Sequence, residues 1–170
     1  PIIVVAEMLG IPKSRYEEAK EVLKGAYGQF GDNWGDVSNP EHIMGPVISK
    51  RQMERVLSYV ELGKQEGATL LHGGNARPDK GGGYFIEPTL VETSDPGYRL
   101  LCEEIFGPVV TAHVYPDAKW EETLATVDAT SPYALTGAVF SQDRAAVRQA
   151  MSALRNAAGD VVGVGGVAVD

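Results

Sequence analysis

A lone thiol, Cys102, directly precedes a pair of carboxylates, Glu103 and Glu104, and the chain continues Ile105-Phe106-Gly107-Pro108-Val109. A cysteine reacts as its thiolate, and adjacent negative charge raises the thiol pKa and thins the thiolate population. Cys102 is therefore poorly placed to be a nucleophile. His42, His72 and His113 are dispersed, and with a single cysteine they give no metal-ligand spacing. On residue type alone Glu104 reads as a solvated carboxylate, Phe106 as core packing and Gln52 as a surface residue of a helix. Gly163-Val164-Gly165-Gly166 has the glycine content of a phosphate loop, but no capped helix follows it.

The elements that would position these residues alternate between extended and helical patterns. The β-branched run in residues 2–6 predicts a strand. Ser14 is placed to cap a helix whose apolar residues Tyr16, Ala19, Val22, Leu23, Ala26, Tyr27 and Phe30 recur at steps of three and four. Turn chemistry from Gly31 to Pro40 ends it. Ser49 is placed to cap a second helix with Met53, Val56, Leu57 and Val60 inward, and Gly67 and a short strand at 68–71 follow. Gly73-Gly74 and Gly81-Gly82-Gly83 bracket an exposed loop. Short extended pieces follow at 84–86 and 89–91. The spacing then predicts a strand over 109–115, a helix over 117–128 with Trp120, Leu124 and Val127 inward, and a strand over 135–140. A helix over 143–155 carries Val147, Ala150, Met151 and Leu154, and extended pieces at 161–162 and 167–169 close the chain. This alternation predicts an α/β fold with a largely parallel sheet flanked by helices, because parallel strands need long crossovers.

At 170 residues the chain has room for one domain with a real core. Its 44% apolar content is that of an ordinary globular protein, with no run long enough to span a membrane. The net charge of −8 and pI near 4.9 argue against nucleic acid and polyanionic membrane surfaces as partners. One cysteine rules out an internal disulfide and predicts a reducing, cytoplasmic location. The chain is apolar from Pro1 and has no initiator Met or secretory signal, which reads as a chain entered in mid-fold.

Glu103-Glu104-Ile105-Phe106-Gly107-Pro108-Val109 resembles the signature of the aldehyde dehydrogenase superfamily. Other stretches resemble the family in order and spacing: Gly45-Pro46 followed by Gln52, Gly63-Lys64-Gln65-Glu66-Gly67-Ala68, Gly83-Tyr84-Phe85-Ile86-Glu87-Pro88-Thr89, and the run Ser131-Pro132-Tyr133-Ala134-Leu135-Thr136-Gly137-Ala138-Val139-Phe140. The resemblance covers residues 12–159. His113-Val114-Tyr115-Pro116-Asp117, Leu135-Thr136-Gly137-Ala138-Val139-Phe140-Ser141 and Leu154-Arg155-Asn156-Ala157-Ala158-Gly159 resemble the branch that oxidises glutamate semialdehyde, the 1-pyrroline-5-carboxylate dehydrogenases.

The resemblance implies an aldehyde dehydrogenase catalytic-domain-like fold over 1–170, a single partial catalytic domain without the dinucleotide-binding domain. The parent chemistry it implies is NAD(P)-dependent oxidation of an aldehyde to a carboxylate through a cysteine thioester. The family's nucleophile position falls on Pro1-Ile2-Ile3-Val4-Val5-Ala6, which holds no cysteine, and its glutamate base has no counterpart here. We therefore expect no catalytic residue in this chain, no metal site, and no turnover by the chain alone. By motif position, Glu104 would accept hydrogen bonds from the nicotinamide ribose hydroxyls, Phe106 would pack beside the nicotinamide, and Gln52 would reach the same cofactor region. The cofactor would be NAD or NADP in the parent enzyme, and whether this chain alone binds either is left open. The substrate would be an aldehyde and the assembly a homo-oligomer. The rival reading is a non-catalytic α/β module acting by self-association or partner binding.

Overall fold

The computed structural model describes residues 1–5, 7–30, 33–132, 136–154 and 160–165. In chain order the elements are β1 (Ile2–Val5), β2 (Met8–Pro12), α1 (Tyr16–Phe30), α2 (Lys50–Gln65), β3 (Thr69–His72), β4 (Thr89–Thr93), α3 (Arg99–Cys102), β5 (Val109–Tyr115), α4 (Trp120–Thr130), β6 (Thr136–Ser141), α5 (Arg144–Ala153) and β7 (Asp160–Gly165). Short 3-10 turns precede α1 and α4. The expected extended piece at 167–169, together with Ala6, Gly31, Asp32, Leu135 and Arg155, lies outside the described residues.

The described residues gather into two compact units. The first comprises Pro1–Glu17, Thr93–Glu104 and Thr111–Asp170. Its strands run in the order β5-β2-β1-β6-β7. The very short connection between β1 and β2 permits only a hairpin, and the two pair antiparallel with Ile3 opposite Gly10. β1 is also antiparallel to β6, while β2–β5 and β6–β7 are parallel pairs. The β6-α5-β7 segment is the crossover that a parallel pair requires. The α/β class read from the alternation stands, with parallel and antiparallel pairings mixed rather than largely parallel, and both antiparallel pairings of this unit are made by β1. Strand β2 has no counterpart in the sequence reading, because Gly10 and Pro12 are residue types depleted in strands.

Ile3, Ile11, Ala112, Tyr115 and Val139 are buried in this unit's sheet. Thr123, Leu124 and Val127 of α4, Ala150 of α5 and the following Leu154 are buried too. Burying an aliphatic side chain of this size contributes about 1.5–3 kcal/mol. α4 and α5 are bridged by Trp120, whose Nε1 donates to Gln149 Oε1 at 2.9 Å, and by Gln149 Nε2, which donates to Glu121 Oε1 at 3.0 Å. Asp143 caps α5, accepting from the Ala145 amide at 2.7 Å. Ser14, placed by its spacing to cap α1, is used otherwise. Its amide donates to Asp117 Oδ2 at 3.0 Å and its hydroxyl donates to the same carboxylate. A charged acceptor makes a stronger hydrogen bond than a neutral one.

The second unit comprises Glu18–Glu92 and Ile105–Val110. Here β3 and β4 pair antiparallel, with a register shift between Leu70 and His72. Helix α2 buries Val56 and Val60, part of the stripe its spacing predicts. Gly67, at φ +91, turns the chain after it. On α1 the amphipathic stripe is less covered, with Val22 66% exposed.

Within the first unit, β5 carries two buried polar side chains on one face, Thr111 and His113, with Thr111 Oγ1 and His113 Nδ1 unpartnered. Burial pushes the His113 pKa down, and a hydrogen bond with the Thr93 backbone and the charge of Asp95 only partly oppose it. The folded state thus favours the neutral ring. Above the ordinary histidine value of about 6.5 the shift has no effect on stability, and below it the unfolded chain takes up the proton first, so stability falls as pH drops toward the folded value. We predict that the urea midpoint declines as the pH falls below about 6.5, and that His113→Val flattens that segment of the profile. An unchanged slope in the variant would remove His113 as the cause.

Candidate functional site

Ser49 sets the start of α2. Its backbone is extended, and its Oγ accepts from the Gln52 amide at 3.2 Å, the N-cap arrangement its position predicts. This places Gln52 in the first helical turn with its side chain available for other work. Gln52 Nε2 donates to the carbonyl oxygens of Ile105 at 2.8 Å and Phe106 at 2.9 Å. A carboxamide nitrogen has two hydrogens, so it can serve two acceptors at once.

The segment that receives these bonds is an irregular turn leading into β5. Ile105 is fully buried. Phe106 adopts φ +59, in the left-handed region, where a side chain with a Cβ is disfavoured by roughly 1–2 kcal/mol. It is the only non-glycine among the described residues with positive φ, and the residue is 71% exposed. A Cβ on Gly107 would lie 2.5 Å from Cγ2 of Val56, a fully buried residue of α2. Only glycine lets the chain pass so close to the helix. The Pro108 carbonyl accepts from the Thr89 amide at 2.7 Å, and the Gly107 carbonyl accepts from the Val109 amide at 2.8 Å. Thr89 is itself buried, its Oγ1 accepting from the Gly74 amide at 2.9 Å and donating to the Glu87 carbonyl at 2.7 Å.

Of the residues singled out by the sequence, Gln52 and Phe106 therefore meet, through the amide of one and the backbone of the other. Glu104 is half-buried and belongs to the first unit, one peptide bond before Ile105. Its neighbour Glu103 pairs with Arg99, Nε to Oε1 at 2.8 Å. Phe106, read on residue type as core packing, is instead mostly exposed, because the left-handed turn sends Ile105 rather than Phe106 inward. Cys102 is half-buried, and its thiol is pushed up first by burial and then by Asp95 and Glu103. The direction is the one the sequence predicts, but the leading cause is desolvation rather than neighbouring charge. Gly163-Val164-Gly165 lies in β7 and is paired with β6, so it forms no phosphate-binding loop.

A second feature, not signalled by the sequence, is a recess of about 260 Å³ in the second unit. Its walls include Tyr27, Trp34, His72, Arg77 and Glu87. Arg77 is engaged by Asp79 in two bonds of 2.8 and 2.7 Å and by Glu87 at 3.4 Å. Its guanidinium also lies 5.2 Å from the Trp34 ring centre. Asp79 lies only two residues from Arg77, whereas Trp34 comes from a separate stretch of chain, and no single local pattern marks the recess.

The motif thus forms a turn braced on two sides, presenting an exposed aromatic ring. A family profile described as "Aldehyde dehydrogenase family" matches residues 4–163. The chain belongs to the aldehyde dehydrogenase family. Among curated proteins it is 39% identical over 153 residues to the mitochondrial delta-1-pyrroline-5-carboxylate dehydrogenase of Danio rerio, covering 88% of this chain and 27% of that protein. It is 47% identical over 115 residues to the corresponding Homo sapiens protein, covering 67% and 20%. The chain spans about a quarter of the length of the curated relatives it matches. Among solved structures, the delta-pyrroline-5-carboxylate dehydrogenase of Mycobacterium tuberculosis, bound with NAD and cobalamin, superposes with TM-score 0.79 at 32% identity, over 91% of this chain and 28% of that one. The NAD+ complex of an aldehyde dehydrogenase from Bacillus cereus superposes with TM-score 0.78 at 31% identity, over 92% and 30%. The pyrroline-carboxylate branch read from the sequence agrees with these relatives.

The close approach of Gly107 to α2 gives a direct test of the turn's packing in this aldehyde dehydrogenase chain. Gly107→Ala should destabilise by about 1–3 kcal/mol, since the new methyl overlaps a buried valine that cannot withdraw. Pairing it with Val56→Ala, which vacates the space, should recover part of that loss in the denaturant midpoint. A Gly107→Ala protein as stable as the original would rule out the tight contact.

Proposed function

We propose that this chain supplies the coenzyme-facing turn of an NAD(P)-dependent aldehyde dehydrogenase whose substrate is glutamate semialdehyde. The observation that carries this reading is the exposed ring of Phe106, held in a left-handed conformation on a turn tied to both α2 and β4. An aromatic side chain left in solvent at the expense of backbone strain is hard to account for by folding alone. The similarity to pyrroline-carboxylate dehydrogenases supports the choice of substrate.

In this reading the bound nicotinamide coenzyme supplies a hydride acceptor. The chain's own residues bind and orient it. Glu104 offers a carboxylate that can accept from two vicinal ribose hydroxyls at once. Phe106 limits the positions open to a flat ring beside it. Residues 1–170 all belong to the catalytic domain in this reading, and the dinucleotide-binding domain and the nucleophilic cysteine are not among them. The chain alone therefore gives no turnover, and Cys102, with its raised thiol pKa, does not stand in for the nucleophile. The active assembly is a homo-oligomer. A cytoplasmic location follows from cysteine usage, although the relatives from Danio rerio and Homo sapiens are named as mitochondrial. No helix of the described residues is long and apolar enough to cross a membrane.

The test combines calorimetric titration with NAD and an assay of NADH absorbance in the presence of glutamate semialdehyde. We expect weak binding, weakened further by about tenfold in Glu104→Gln through loss of charge-assisted hydrogen bonds, and no NADH formation. NADH formation would overturn the inactive reading. Absence of any binding heat would overturn the coenzyme role and favour a non-catalytic module.

A further inference from the structure

We propose that Gln52 is a positioning residue rather than a coenzyme ligand: its amide locks Phe106 in the left-handed conformation that turns the ring to solvent. This deepens, and rests on, the reading of Phe106 as a coenzyme-facing residue, but the lock itself is a property of the chain alone.

The geometry argues for it in three steps. Successive carbonyls in an extended strand point to opposite sides, so a single nitrogen cannot bond two in a row. Gln52 Nε2 does bond two in a row, Ile105 at 2.8 Å and Phe106 at 2.9 Å, because the left-handed residue between them brings both carbonyls to one side. The two bonds and the positive φ are therefore one linked event, and each stabilises the other. Next, two carbonyl acceptors orient the carboxamide, since only its nitrogen end can donate. With two backbone carbonyls as its acceptors, that nitrogen is turned to the protein's own chain. Last, the lock has a firm base. Gln52 lies in the first turn of α2, capped by Ser49, and Val56 of the same helix meets the backbone at Gly107. A helix fixed at these points holds the amide at a constant height above the turn.

The experiment uses the isotopically labelled chain and four forms of it: the original, Gln52→Ala, Phe106→Gly, and the double variant. The Cα and Cβ carbon shifts of residue 106 report its backbone conformation, thermal unfolding reports stability, and titration with NAD reports binding. In Gln52→Ala we expect the Phe106 carbon shifts to leave left-handed values, the midpoint to fall, and NAD affinity to drop about tenfold. Glycine adopts positive φ without a Cβ penalty. Gln52→Ala should therefore lower the midpoint less in the Phe106→Gly background than in the original. Gln52→Glu, which sets a carboxylate against two carbonyls, should behave like Gln52→Ala.

If Phe106 keeps its left-handed shifts in folded Gln52→Ala, the lock is overturned. If NAD affinity falls while those shifts stay fixed, Gln52 is a coenzyme ligand and the lock is likewise overturned. If the original chain shows no NAD binding but the shifts move as expected, the lock stands and the coenzyme reading of Phe106 is what fails.

Discussion

The carboxamide of Gln52, donating to the consecutive carbonyls of Ile105 and Phe106, holds together what the rest of the site depends on. Without a donor at that point a left-handed phenylalanine would lose two hydrogen bonds that offset its steric disadvantage. The hydrogen bond acts with a purely steric condition. Gly107 brings the backbone so near α2 that a methyl group would overlap Val56. A polar tie and an apolar contact thus fix the same turn from one helix, while Thr89 fixes Pro108 from β4. The turn is irregular, yet every step of it is determined.

The first unit achieves order by a different route. Its sheet is organised by the hairpin of β1 and β2, which places one strand antiparallel to both neighbours, while the flanking pairs are parallel. Helices α4 and α5 bury Leu124, Val127 and Ala150 and are joined at their polar rim by Trp120, Gln149 and Glu121. Polar groups inside this unit are less completely matched. Thr111 Oγ1 and His113 Nδ1 lie buried on one face of β5 without a protein partner, and burial of the His113 ring favours its neutral form.

Membership in the aldehyde dehydrogenase family gives these details their context, because the turn braced by Gln52 lies within the stretch that the family profile matches. Ile105 meets the requirement of burial, Gly107 that of close approach, and the Pro108 carbonyl ties the turn to Thr89.

By itself the sequence determined the local elements with strong periodicity or caps. Ser49 caps the helix its position indicated, β5 spans the β-branched run at 109–115, and the alternation of patterns fixed the α/β class, all because these depend on neighbours within a few residues. The sequence also marked Glu104, Phe106 and Gln52 by resemblance, though not how they relate. Only the tertiary structure decided that Gln52 serves the Phe106 turn, since the two are 54 residues apart. It alone revealed β2, whose Gly10 and Pro12 hide a strand that pairing partners impose. It alone diverted Ser14 from capping to Asp117, 103 residues away. It also turned Phe106 outward where its residue type points inward. In each case a long-range partner outweighed a local preference worth a kilocalorie per mole or so, and such partners leave no periodic trace in the chain.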